Sequence, residues 1–415
     1  MNPFPMVLAD LRAMRWSAAA VIALVALAVA IGIAVGAQER SLRQGSARAA
    51  DDFDLLIGAP GSQTQLVLTT VYLQPEALPL IDGAILNRLA TDPRVAGFSP
   101  IAFGDIVKGY PVIGTTHPFA TRWGRIAPAE GRLYQAEAEA LIGADVRLAI
   151  GDDITPSHAT AGDRTRPGEE TEAEHDHKHD GVTYKVVGRL PRLGTPWDRA
   201  IQIPIESVWE THGLGNGHAP TTDGDEAPLG PPFDAKTVPG IPAIVIHPNQ
   251  VANAYQLRAQ YRQGGTMALF PAEILVSLYR TVGDIRDIVV IASALNNLLV
   301  FGAVILLILT LISLRCRRYA ILRALGAPRL YILLVTWLGA TTLLTAGCTL
   351  GLGFGYLAAQ LAATLIERKT GLQATTTLAW PELRYALSLI AAGSLLSLSP
   401  ALSTWRTSVS QALRG

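Results

Sequence analysis

The sequence predicts a membrane protein with four transmembrane helices and a large α+β extracytoplasmic domain between helices 1 and 2. Three observations carry that expectation. Of the 415 residues, 49% are hydrophobic and 16% charged, too apolar for an ordinary soluble protein and too mixed for one lying wholly in lipid. The apolar residues gather at the two ends of the chain. Three sets of arginines flanking the apolar runs, Arg12 and Arg15, those of 315–329, and Arg406 and Arg414, fall on one side if the runs cross four times.

The first run, residues 17–36, is rich in Ala, Val, Ile and Leu and has the roughly twenty residues that cross a bilayer core. The second is 288–314, the third 330–362 and the fourth 385–402. The third carries Gly347, Gly351, Gly353 and Gly355, so it is expected to pack closely on a neighbouring helix. Arg12 and Arg15 precede the first run, a pattern that a cleaved signal peptide shares. The run is longer than a usual signal core, and a retained anchor makes the orientation consistent. Arg12 and Arg15, the arginines of 315–329, and Arg406 and Arg414 then all lie in the cytoplasm. Residues 1–16 and 403–415 are cytoplasmic ends, and 363–384 is a short outer loop. Glu367, Arg368 and Lys369 in that loop oppose the charge trend but are outnumbered.

Residues 37–267 form the extracytoplasmic domain, long enough for one sizeable core. Strand-like runs are Asp54–Ile57, Leu66–Tyr72, Tyr184–Val187, Ala200–Ile203 and Ala243–Ile246. Helix-like stretches are Pro79–Leu89, Ile205–Thr211 and Gln250–Gln263. Residues 268–287 carry apolar positions at helical spacing and read as a stalk helix running into the second span. Residues 155–181 and 213–240 are polar or Gly/Pro-rich and read as loops. The cysteines, Cys316 and Cys348, lie outside this domain, which excludes a disulfide framework there.

The segment Arg315-Cys316-Arg317-Arg318-Tyr319-Ala320-Ile321-Leu322-Arg323-Ala324-Leu325-Gly326-Ala327-Pro328-Arg329 combines a basic loop with helical apolar spacing. Tyr319 through Ala327 resembles the loop after the second span in the FtsX/MacB-type permeases, the membrane subunits of one class of ABC transporter. Tyr319 departs from an acidic residue usual there. Ser410-Gln411-Ala412-Leu413-Arg414 is similar to that family's closing sequence. Leu141-Ile142-Gly143, Ile150-Gly151-Asp152 and Tyr184 through Leu190 resemble its extracytoplasmic core. The run from Asp54 to Ser62, Gln65 to Leu68, Gly194-Thr195 and Asp198-Arg199 look like a subgroup with a histidine-bearing loop, some of whose members occur alongside metal or siderophore handling.

The resemblance implies a non-catalytic permease subunit in a bacterial inner membrane. It implies coupling through Arg317, Arg318, Ile321, Leu322, Arg323, Leu325 and Gly326, pairing as a homodimer, and contact with membrane lipids and a periplasmic adaptor or binding protein. No stretch matches the Gly-x-x-x-x-Gly-Lys-Ser/Thr phosphate loop, so ATP is expected at a separate ATPase partner and no cofactor on this chain. The alternative to coupling is that the arginines only set topology. No catalytic constellation stands out, and nothing points to nucleic acid.

Eight histidines all fall outside the membrane in this topology, densest at Glu174-His175-Asp176-His177-Lys178-His179-Asp180. Imidazoles and carboxylates this close suit Zn²⁺ or Cu²⁺, with His175, Asp176, His177 and His179 as the candidate ligands. The bland reading is a solvated loop that binds metal weakly. His212 and His218 read as loop histidines, and Trp197-Asp198-Arg199 as a β-turn with a local ion pair rather than a surface recognition site. The expected function is that of an ABC permease for export, extraction or efflux. An ATPase-driven signalling protein of the cell-division type and a membrane-anchored metal sensor are the alternatives.

Overall fold

The computed structural model describes residues 2–158, 182–219, 228–280, 291, 294, 295, 298, 302, 321, 322, 325–371, 373, 377 and 379–398. It divides into a sheet unit, residues 43–280 with 366–373, and a helical unit, residues 1–42 with 281–365 and 374–415. The helices are α1 Phe4–Ala13, α2 Arg15–Ala49, α3 Gln63–Tyr72, α4 Ile85–Ala90, α5 His117–Ala120, α6 Ile205–Thr211, α7 Val251–Tyr261, α8 Arg329–Thr370 and α9 Trp380–Leu396. The strands are β1 Leu55–Gly58, β2 Val95–Val107, β3 Tyr110–Thr115, β4 Glu130–Gly131, β5 Glu139–Ile142, β6 Asp153–Ile154, β7 Ser157–His158, β8 Tyr184–Arg189, β9 Ile201–Pro204, β10 Ala243–Pro248 and β11 Met267–Leu269.

The sheet unit is built on one mixed sheet in the order β11-β1-β10-β2-β3-β9-β5-β8-β4, with β6 on β8 and β7 on β2. The pairs β3–β9 and β5–β8 are parallel. Alternation sorts the central strands to two faces. Leu55, Ile57, Ile244 and Ile246 join a core with α4, α6 and α7. Leu56, Val245 and Ile113 join another with Leu66, Val67 and Val71 of α3. A sheet covered on both faces needs strands apolar at every position, and β1 is buried throughout. The expected α+β domain is found.

Several elements differ from expectation. Leu66–Tyr72 is part of a helix, not a strand. The Ser62 hydroxyl accepts the Gln65 N–H at 3.2 Å, an N-cap, and Leu73 ends the helix in the left-handed region at φ 54°. That cap and the burial of Leu66, Val67 and Val71 outweigh the β propensity of the Val/Thr-rich run. Within Pro79–Leu89, Ile81 bridges Ile241 as a strand residue and helix begins only at Ile85. The stalk helix does not begin at residue 268: Ala268 and Leu269 pair with Ile57 and Leu56, and residues 271–280 are helical. The hairpin β2–β3 escaped the strand reading. Its Lys108-Gly109 turn, both residues at positive φ of 49° and 72°, is the two-residue connection that hairpin twist favours.

Two described helices are long and apolar enough to cross a membrane, α2 and α8, the latter over Arg329–Glu367. Both outrun the sequence boundaries: α2 continues past residue 36 to Ala49, and α8 past 362 to Thr370, leaving 371–379 between α8 and α9. The fourth run appears as α9, beginning at Trp380 and placed five residues earlier than Tyr385. Most of 288–314 lies outside the described residues.

Candidate functional site

In the basic segment, Ile321 and Leu322 are helical. The Leu325 N–H donates to Ile321 O at 3.0 Å and the Ala327 N–H to Leu322 O at 3.0 Å. Gly326, at φ +96° with open space where a Cβ would stand, stops the helix in the conformation that favours glycine. Pro328 follows, and the Tyr331 N–H bonds its carbonyl at 3.0 Å as α8 starts. The result is a sharp corner. Ile321 and Leu325, four apart and so on one face, are 47% and 80% exposed, and Leu322 is half-buried. Arg317, Arg318 and Arg323 lie outside the described residues.

The helix that leaves this corner packs on α2 through a glycine row. A Cβ on Gly347 would stand 2.6 Å from Val25 Cβ, one on Gly351 2.7 Å from Ala26 O, and one on Gly355 2.8 Å from Ala30 O. Gly353, off the row, meets nothing within 4 Å. The expected close packing of the third run is present. Trp337 Nε1 donates to Ser394 O at 3.0 Å, which ties α8 to α9. Arg40 pairs with the nearly buried Glu382 at the start of α9, whose carboxylate also accepts the Ala379 N–H at 3.1 Å.

Of the metal candidates, His175, Asp176, His177 and His179 lie outside the described residues. The described histidines are dispersed. His117 stacks on Tyr134 at 4.4 Å. His212 Nδ1 lies 2.8 Å from Val208 O. His218 faces Glu206, and His247 pairs with Asp54. Among the described residues no group of three or more His, Cys, Asp or Glu is arranged to hold a metal ion.

Trp197-Asp198-Arg199 is not a surface site, and its backbone is not the expected β-turn. It is a 3₁₀ turn with Trp197 and Asp198 buried, and the Asp198 carboxylate accepts the N–H groups of Leu193 at 2.8 Å and Gly194 at 2.6 Å. Gly371 and Gln373 pack beside it. The Gln373 N–H donates to Gly194 O at 3.1 Å, Arg48 Nη1 donates to Gln373 Oε1 at 3.4 Å, and Arg192 pairs with Glu367 at 3.2 Å.

Two charged centres escaped sequence reading. Arg122, 2% exposed, lies 3.0 Å from the Asp52 carboxylate, with its guanidinium carbon 4.2 Å from the Phe119 ring centre and 4.8 Å from that of Trp197. Burial pulls its pKa down to about 10 against the opposing pull of Asp52. The second is the buried Glu206, whose carboxylate accepts the Gly230 N–H at 2.6 Å and lies 3.5 Å from His218 Nε2. A lone arginine or glutamate carries no local mark of such company; only contacts across the chain create it.

Residues 290–411 match the family model described as FtsX-like permease C-terminal. No curated protein matches the chain. Among solved structures, the periplasmic region of MacB from Actinobacillus actinomycetemcomitans is similar over 56% of this chain and 94% of its own, at 9% identity and TM-score 0.32. The extracellular domain of the noncanonic ABC-type transporter YknZ from Gram-positive bacteria is similar over 52% and 98%, at 11% identity and TM-score 0.29. Likenesses at these scores carry no argument about function.

Proposed function

We propose that this chain is the membrane subunit of an ABC transporter, driven by a separate ATPase and acting from a bacterial inner membrane on the outer side. The match of residues 290–411 to the FtsX-like permease C-terminal model carries this reading. The exposure of Ile321 and Leu325 before α8 supports it, because apolar residues four apart on a helical face can be gripped by another protein. Two copies pair above two ATPase subunits. ATP-driven closure presses on residues 315–329, and rigid helices carry the displacement outward.

Leu322→Asp with Leu325→Asp places two charges where apolar contact is needed. Capture of the ATPase with the full chain then falls by at least about tenfold, the effect of ~1.4 kcal/mol, and its stimulated hydrolysis is lost. Undiminished capture and hydrolysis would overturn the coupling role.

The finer proposal is that the cargo pathway is linked to metal or siderophore handling, on the strength of His175, Asp176, His177 and His179 and the subgroup resemblance. Deleting 170–181 then lowers growth under zinc, copper or iron stress with ATPase capture intact. Unchanged tolerance to all three metals sinks this link and leaves the permease reading standing.

A further inference from the structure

The segment before the first span is more than an end of the chain: it folds as α1 and leaves half of an apolar face uncovered. Pro5 falls in the first turn, where a missing N–H costs nothing, and Asn2 Oδ1 accepts the Phe4 N–H at 3.1 Å. The helix runs to Ala13, and Met14, at φ −119° and ψ 37°, separates it from α2. The joint stays bonded. The Met14 N–H donates to Asp10 O at 3.2 Å and the Ala18 N–H to Met14 O at 2.9 Å.

At about 100° per residue, Val7, Leu11, Phe4 and Leu8 share one apolar arc of α1. The helical unit uses part of it: Val7 is buried, and Leu11 packs on the core that α2 and α8 share. Phe4 and Leu8 are left 65% and 51% exposed. Phe4, Leu8 and Arg12 follow at four-residue spacing, so this row passes from apolar to basic, and Arg12 is exposed. Arg15 is exposed as well, its guanidinium carbon 5.8 Å from the ring centre of Trp16, which is 80% exposed. Asp10, the only acid in residues 1–16, is half-buried and stands two residues from Leu8, nearly opposite it on the helix.

Three features select a lipid surface as the occupant. The arc leads straight into α2, so whatever surrounds the first turns of that apolar span also meets α1. An exposed Trp beside Arg at the start of a span is the composition of the membrane–water boundary, where the ring sits at headgroup level. The exposed charges are all positive, which complements anionic headgroups.

We propose that α1 lies in the bilayer interface at the N-terminal end of α2, with Phe4 and Leu8 among the acyl chains and Arg12 and Arg15 on the headgroups of anionic lipid. The aliphatic stems of the arginines cover apolar surface while their guanidinium groups stay with phosphate. Buried apolar area and attraction to anionic lipid act together, as in other helices held in the interface plane. The consequence is mechanical: the start of α2 is held at a fixed depth, and Leu11 ties that depth to the α2–α8 contact. This goes beyond the permease reading and needs only that α2 cross the bilayer.

The test uses the full chain, carrying Cys316→Ala and Cys348→Ala, in vesicles of phosphatidylcholine with or without phosphatidylglycerol. A spin label is attached through Leu8→Cys or through Ala13→Cys, an exposed position five residues on and so on the other side of the helix. Electron paramagnetic resonance then reads collisions of the label with oxygen, which dissolves among acyl chains, and with a nickel chelate confined to water. With phosphatidylglycerol present, the label at position 8 keeps its collisions with oxygen and loses those with the chelate, and the label at position 13 does the reverse. Omitting phosphatidylglycerol, or combining Arg12→Gln with Arg15→Gln, restores chelate collisions at position 8. The lipid comparison needs no charge substitution, so it stands whether or not that double variant folds. A label at position 8 open to the chelate in phosphatidylglycerol vesicles overturns the proposal. So do identical readings with and without phosphatidylglycerol, which leave the anionic headgroups no part. Loss of both kinds of collision at position 8 overturns it in favour of a protein contact.

Discussion

The two units solve burial in opposite ways. The sheet unit hides large side chains: Trp197, Trp209, Tyr110, Tyr134 and Phe119 are all fully buried, and so is the charged Arg122. The helical unit hides small ones. Its α2–α8 contact is made where Gly347, Gly351 and Gly355 meet Val25, Ala26 and Ala30, and its core is Ala, Val, Ile, Leu and Cys348. Apolar area removed from water drives the first kind of packing. Helices in lipid gain nothing from hiding apolar area, so they gain from close backbone approach. One chain thus carries two packing codes, and a substitution harmless in one unit is costly in the other.

Arg122 gives the largest break. Arg122→Ala leaves Asp52 its exposed partner Arg125 at 2.6 Å but removes a buried guanidinium from the Phe119–Trp197 aromatic cluster, and lowers stability of the sheet unit by roughly 2–5 kcal/mol, the cost of a large-to-small change in a core. Urea denaturation of the full chain, followed by tryptophan fluorescence, measures it. An effect below about 1 kcal/mol would mean that packing around the pair, and not the pair, holds the site.

The glycine row is next. Gly351→Val forces a side chain against Ala26 O and Val29 and costs about 1–3 kcal/mol. Gly353→Val, two residues along the same helix with open space around it, stays within about 0.5 kcal/mol. Melting of the two variants in detergent reads the difference. Equal melting temperatures would show that the row does not set the helix spacing.

The smallest effect is local. Ser62→Ala removes the hydroxyl that accepts the Gln65 N–H and costs about 1 kcal/mol, read from the same urea titration. No change would mean that burial of Leu66, Val67 and Val71 alone keeps residues 63–72 helical.

Particular elements show where sequence reading reached and where it stopped. Ile205–Thr211 was legible in full, because its apolar spacing agrees with its surroundings. Residues 66–72 were not, because their β-branched composition points one way while the Ser62 cap and two-sided burial decide the other. The β2–β3 hairpin was legible in principle through Lys108-Gly109. For the candidate site, Gly326 entered through the family resemblance, while the helical spacing of Ile321 and Leu325 was readable from the residues. Their exposure was not, since exposure depends on what the rest of the chain leaves uncovered.

The sequence by itself determined the apolar runs, the arginine asymmetry and the glycine row. Each rests on local composition, which travels with the residues. Only the tertiary structure decided that Glu367 and Gln373 belong with the sheet unit, that Trp197 and Asp198 are buried, and that Arg122 meets Asp52. Those pairings join residues dozens to hundreds of positions apart. The Arg122–Asp52 contact exists only once folding has taken the guanidinium out of water and set the carboxylate beside it.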